Sequence, residues 1–145
     1  MRSGLSFSAA VAFLVLTGCG QNEDAGIIDS PQSVFSDIDA SDTIRLTGTE
    51  PFWGGTISGD TLTYTTPENP DGTAIPVTRF AGNNGLGYNG TMGERTLDLA
   101  VTPGACSDGM SDRTYPFTVT LQIGQEQRFG CAWSDGHPFT GPKQP

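Results

Sequence analysis

The chain has 145 residues, with 16 Asp plus Glu against 7 Lys plus Arg and a net charge of −9. That balance repels phosphate backbones and anionic lipid surfaces, so nucleic acid is excluded as a partner and charge alone cannot hold the protein on a membrane. One histidine and three cysteines give little material for a zinc site, and no cofactor is expected.

The first element in the chain is a leader, residues 1–18. Arg2 gives a thin positive start, and Leu5 to Leu16 is apolar apart from Ser6 and Ser8. Such a run is too short for a bilayer span, which takes about 20 apolar residues. It reads as the apolar region of a signal peptide. Its last residues, Leu16-Thr17-Gly18-Cys19, resemble the lipobox of bacterial lipoproteins, whose cysteine is acylated and becomes the mature N-terminus. A secretory signal cut elsewhere, or a short buried helix, is the alternative. The resemblance implies a lipid on Cys19, and more than one acyl chain makes a durable anchor. Gly20, standing where Asp would favour the inner membrane, implies the outer one. Loss of Arg2 with the leader takes the mature chain to −10.

Residues 19–42 follow as a tether. Gly20 to Gly26 is polar, acids recur at Asp29, Asp37, Asp39 and Asp42, and the few apolar residues keep no period. As a flexible chain it reaches about 25 Å. Val34, Phe35 and Ile38 offer the alternative of a short docking turn.

From Thr43 the chemistry changes to that of strands: Thr, Val, Ile and aromatics between frequent turn residues. Ile44-Arg45-Leu46 alternates. Phe52 to Ser58 and Thr61 to Thr66 flank Gly59-Asp60 as a hairpin, with Leu62 and Tyr64 on one face. Ala74 to Ala81 carries Pro76, which predicts an edge strand or a bulge. Gly82 to Gly93 is rich in Gly and Asn and reads as a loop; it lacks the Lys-Ser/Thr ending of a phosphate loop. Leu97, Leu99 and Val101 share a face, as do Phe117, Val119, Leu121 and Ile123. Gly124-Gln125-Glu126 turns the chain into Phe129, Cys131 and Trp133. About seven short strands without βα alternation predict an all-β domain over residues 43–141, a small antiparallel barrel or sandwich. Residues 142–145 are a tail.

With Cys19 lipidated and the domain exported, Cys106 and Cys131 are expected to pair; free thiols or a two-cysteine metal site are the alternatives. The bridge would add about 3.5 kcal/mol. The alternation of Cys131 with Phe129 and Trp133 places it in or beside the core.

Two blocks are candidates for function. In Gly48-Thr49-Glu50-Pro51-Phe52-Trp53, a strand would send one aromatic inward and one out. Glu50, Phe52 and Trp53 would then grip a sugar or peptide, unless Trp53 is simply packed under a loop. In Cys106-Ser107-Asp108-Gly109-Met110-Ser111-Asp112-Arg113, with Tyr115-Pro116 after it, Ser and Asp side chains suit a self-capped turn. Asp108 and Asp112 as cation ligands are the alternative, although the spacing departs from an EF-hand and no Glu closes the loop. Arg113 is expected to pair with a local acid or to stack on Tyr115. At these blocks and at Gly130-Cys131 the chain resembles a family of uncharacterised bacterial envelope lipoproteins, over approximately residues 46–133. The resemblance implies location and architecture; it brings no activity and no catalytic residues.

The expectation is a lipid-anchored periplasmic or outer-membrane lipoprotein with a non-catalytic binding or envelope-maintenance role. Its partner would be a basic envelope protein such as lysozyme, or a cell-wall fragment. A lysozyme-inhibitor-like module is the first alternative, by analogy of class. The second is a hydrolase of envelope polymers using Ser107 or Ser111 with His137, or a carboxylate pair.

Overall fold

A computed structural model describes residues 33–143. The leader, Cys19 and the tether as far as residue 32 lie outside the described residues, as do residues 144 and 145.

Eight antiparallel strands, each paired with its neighbours in chain order, close into a barrel. They are β1 (Ile44–Gly48), β2 (Gly54–Ser58), β3 (Thr61–Thr66), β4 (Asn69–Ala81), β5 (Leu86–Met92), β6 (Arg95–Cys106), β7 (Tyr115–Ile123) and β8 (Glu126–Ser134). Closure comes from β1 lying along β8, from Ile44 opposite Ser134 to Gly48 opposite Gly130. The period-two pattern sets which face is inside. Along β7 every second residue from Tyr115 to Ile123 is buried, and Leu97, Leu99 and Val101 of β6 meet them across the ladder. With Leu46, Leu62, Tyr64, Ile75 and Tyr88, the residues of β6 and those of β7 from Phe117 onward fill the barrel, while Tyr115 stands outside this cluster.

Most of the expected loop over Gly82 to Gly93 is instead a strand, β5, over Leu86–Met92. β5 pairs with both β4 and β6, although glycine disfavours strands. Its glycines are there for space. Phe80 of β4 lies opposite Gly87, and its ring occupies the place a Gly87 β-carbon would take, 2.0 Å away. Only Gly82–Gly85 connects the strands.

Pro76 marks no bulge, but it ends a stretch of β4 that is paired on one side only. β4 pairs with β3 up to Pro76 and with β5 from Val77 onward. Pro76 therefore stands where one partner hands over to the next, and the Val77 N–H reaches the Asp60 carbonyl at 2.9 Å.

The Phe52–Ser58 strand starts only at Gly54, so Glu50-Pro51-Phe52-Trp53 belongs to the β1–β2 connection. Phe35 and Ile38 do dock. Ile38 is buried in the core, Arg79 donates to its carbonyl at 2.9 Å, and Phe35 packs edge-on against Phe117. The compact unit thus begins ahead of Thr43, while Val34 stays exposed.

Cys106 and Cys131 form a disulfide. Cys131 is fully buried, as a place in or beside the core requires, but it does not face the barrel interior. Ala132 lies opposite Phe117 and belongs to the core, whereas Cys131 lies opposite Thr118 and Thr47. Cross-strand partners share a face, so Phe129, Cys131 and Trp133 point outward. The bridge joins β6 to β8 over the outside of β7. A register shift in β6 between Pro103 and Cys106 turns the strand end across its neighbour.

Candidate functional site

The Cys106–Tyr115 block sits at the end of the barrel that holds Ile44 and Ser134. Its centre is Asp108, only 7% exposed. One carboxylate oxygen accepts from the Met110 and Ser111 backbone N–H groups at 3.0 and 2.8 Å. The other accepts from the Ser111 hydroxyl at 2.8 Å and the Tyr115 hydroxyl at 3.0 Å. Burial by itself raises the pKa of this carboxyl, but the four hydrogen bonds outweigh it and hold the pKa at about 2. Both oxygens face the positive ends of donors, which is the wrong surrounding for a cation. Asp112 is exposed and no hydrogen bond ties it to Asp108 among the described residues.

Arg113 neither pairs with an acid nor stacks on Tyr115. Its guanidinium lies over the Phe139 ring at 4.6 Å and donates to the carbonyls of Pro142 and Lys143 at 2.8 and 2.6 Å. Tyr115 packs between Trp133 and Phe139, with ring centroids 5.2 and 5.6 Å away. A bridge between Thr114 and Thr140 completes the attachment of the C-terminal segment. His137 packs edge-on against Phe117 at 5.5 Å, with its amide bonded to Ser134.

The Glu50–Trp53 block is at the opposite end, beside Gly48, Gly54 and Gly130. Trp53 is buried, stacked on Tyr64 with centroids 5.9 Å apart, and its indole N–H donates to the Phe129 carbonyl at 3.1 Å. Phe52 is 44% exposed. With Glu50, Glu68 and Arg128 it lines a hollow of about 740 Å³. Arg128 points inward, donates to the Tyr64 hydroxyl and pairs with Glu126 at 3.1 Å. Burial raises the Tyr64 pKa, and the Arg128 charge opposes the rise. The two sequence blocks are therefore not brought together.

A third region was not singled out by sequence. On the outer face the registers of β4 to β8 line up Phe80, Gly87, Ala100, Thr120 and Phe129 in one row. The row covers four strand spacings, roughly 19 Å along the sheet. Its middle is flat because those side chains are small, and its ends are aromatic rings 54% and 56% exposed. The adjoining row on the same face is Thr78, Asn89, Asp98, Gln122 and Gln127. Phe80, the small residues and Asn89, Asp98, Gln122 and Gln127 of this polar row bound a hollow of about 520 Å³. Asn89 donates to Asp98, and Gln122 to the Gly124 carbonyl at 2.8 Å. Part of the signal was present in the chain: Phe80 stands on the side of its strand opposite Ile75 and Val77, whereas Phe129 shares the more apolar side of β8 and gave none. Reading β5 as a loop hid the glycine that joins them.

Comparison with known proteins adds no relative: no family model matches the chain, and no curated protein or solved structure is similar to it.

Proposed function

We propose that this chain is a non-catalytic binding protein of the bacterial envelope, anchored through a lipid on Cys19, whose ligand lies on the outer face between Phe80 and Phe129. The observation that carries the reading is that row. It joins two exposed aromatic rings across a flat floor beside a line of amide groups, the mixture of apolar surface and few polar groups that ligand sites share. Large exposed aromatics in register are otherwise a liability for a folded domain. Within the block that holds Ser107 and Ser111, the Asp108 carboxylate is taken up by the turn around it, which supports a non-catalytic role.

The test has two arms. Cys19→Ala should move the protein from the detergent phase to the aqueous phase; continued partitioning into detergent would end the anchor. The full chain in detergent should bind solubilised envelope fragments, and the double change Phe80→Ala with Phe129→Ala should abolish that binding. Equal binding by the double variant would end the outer-face site.

One observation supports a second reading. Glu50 and Glu68 stand beside exposed Phe52 and make no ion pair among the described residues. On a chain of net charge −9, that mouth suits a basic protein such as lysozyme. Inhibition of lysozyme that weakens with salt and with Glu50→Gln plus Glu68→Gln would support it. Inhibition unmoved by either would remove it.

A further inference from the structure

We propose that the outer-face hollow takes a neutral glycan chain, which starts on the Phe80 ring and, when long enough, runs across the strands to Phe129. The inference rests on the binding reading above and names its ligand class.

Charge narrows the choice first. The hollow is lined by one carboxylate, Asp98, and by no Lys, Arg or His. An anionic ligand meets no counter-charge there and is repelled by the chain as a whole. A cationic ligand meets a single carboxylate that already accepts from Asn89. What remains is a neutral molecule.

The polar groups narrow it further. Gln127 and Thr120 make no side-chain hydrogen bond among the described residues, and Asn89 and Gln122, which each spend one N–H within the chain, keep a second N–H and an acceptor, whereas the Thr102 hydroxyl is held by Thr118. A ligand that matches them must offer groups able to donate and accept at short intervals, which hydroxyls do. It must also have an apolar face. Phe80 sits over Gly87, and beside it Ala100 and Thr120 put only small groups on the floor. A sugar ring, with hydroxyls around its edge and C–H groups on its face, has both features. Aromatic side chains bury such a face while leaving the edge free for hydrogen bonds.

Closure of the barrel weighs against the main competitor. Peptides bind sheets chiefly by adding a strand to a free edge. Across the floor of the row Gly87, Ala100 and Thr120 are each paired on both sides, so the floor offers side chains and no free ladder, although β4 at its end pairs with one neighbour at a time. The length of the row sets an expectation as well. Four strand spacings, roughly 19 Å, exceed one sugar ring and call for an oligomer.

The experiment titrates the detergent-solubilised full chain with N-acetylglucosamine and glucose oligomers of increasing length, following the side-chain amide NMR signals of Asn89 and Gln122. Controls are an uncharged peptide of similar mass and the solubilised envelope fragments. The oligomers should shift both signals, with affinity rising with length. Phe80→Ala should weaken binding of every oligomer about tenfold, as loss of one aromatic contact implies, and Phe80→Tyr should restore it. Phe129→Ala should leave the shortest oligomers unchanged and weaken the longest. Both rings are half-exposed, so these variants fold. If the peptide shifts the amide signals and the sugars do not, the glycan assignment falls while the outer-face site stands. If sugars, peptide and envelope fragments all leave them unmoved, both fall.

Discussion

At the Cys106–Tyr115 end of the barrel, the polar side chains are turned on one another. Asp108 binds Ser111 and Tyr115, Arg113 binds the C-terminal carbonyls, and the disulfide clamps β6 over β7 to β8. On the Phe80–Phe129 face the polar side chains project from a continuous sheet, and two aromatic rings lie half in solvent. The first region has the denser collection of chemically suggestive residues, yet its groups are already satisfied by partners within the chain. The second has Gly, Ala, Thr and amides; Asn89 and Gln122 each use one donor within the chain, while Gln127 and Thr120 make no side-chain hydrogen bond among the described residues and keep capacity for a partner outside it. A residue type says what a group is able to do; its existing hydrogen bonds decide whether it is free to do it.

If that contrast is right, changes at the two regions should separate stability from binding. The largest effect should come from Cys106→Ser with Cys131→Ser. Opening a loop with a sequence separation of 25 removes about 3.5 kcal/mol on the chain-entropy account. A urea melt of the double variant should show it, while ligand affinity under folding conditions stays the same. A loss of less than about 1 kcal/mol would mean that the non-covalent contacts at this end hold the chain without the bridge.

Next in size is Asp108→Asn. The amide keeps the shape but turns an N–H₂ toward donors, so a buried charge-assisted set is broken at a cost of about 2 kcal/mol. Tyr115→Phe, which removes one of the four donors, should cost about 1 kcal/mol. The same carboxylate gives a pH signature. Its folded pKa of about 2 lies below its ordinary value of 3.8, so the native state favours the ionised form. The stabilisation is complete above about pH 4 and disappears as the pH falls through 2. Discounted for solvent close to the loop, it amounts to about 1 kcal/mol. In Asp108→Asn that part of the acid slope should be missing. A variant with the parent's slope would place the stabilising carboxylate elsewhere.

Much of the barrel is legible in the sequence because its core strands obey strict alternation. The face of Phe117 to Ile123 and that of Leu97 to Val101 follow from period two alone, and the Gly59-Asp60 hairpin from turn chemistry. Two features are not legible, for definite reasons. β5 carries Gly87 and Gly90, whose place depends on a ring and a carbonyl from β4 that come near only after folding. The outward face of β8 is the more apolar one locally, since Phe129, Cys131 and Trp133 point away from the core. Alternation shows that they share a side and cannot say which. At the Cys106–Tyr115 block the turn-capping chemistry of Asp108 and Ser111 was readable. The long-range partners of Arg113 were not, because they lie 29 and 30 positions away.

The smallest change in stability belongs to Gly87→Ala, and set against Gly48, a second glycine that faces an aromatic ring, it gives the finest test of the contrast. A β-carbon on Gly48 would fall 2.1 Å from the Trp53 indole, and one on Gly87 would fall 2.0 Å from the Phe80 ring. The clashes look alike, but the rings differ. Trp53 is buried, stacked on Tyr64 and bonded through its indole nitrogen, so it has nowhere to go. Gly48→Ala should cost about 2 kcal/mol or more, as overpacking of a core does. Phe80 is half in solvent and turns aside by changing rotamer. Gly87→Ala should therefore shift the urea midpoint by no more than about 0.5 kcal/mol, helped by the better strand propensity of alanine. Binding should respond in the opposite order. Moving the Phe80 ring off Gly87 removes the platform at one end of the row, so Gly87→Ala should weaken ligand binding by nearly as much as Phe80→Ala, while the Gly48 variant, wherever it remains folded, binds like the parent. If Gly87→Ala destabilised the fold as strongly as Gly48→Ala, the Phe80 ring would be a part of the packing, and the outer face would lose its standing as a surface kept open for a ligand.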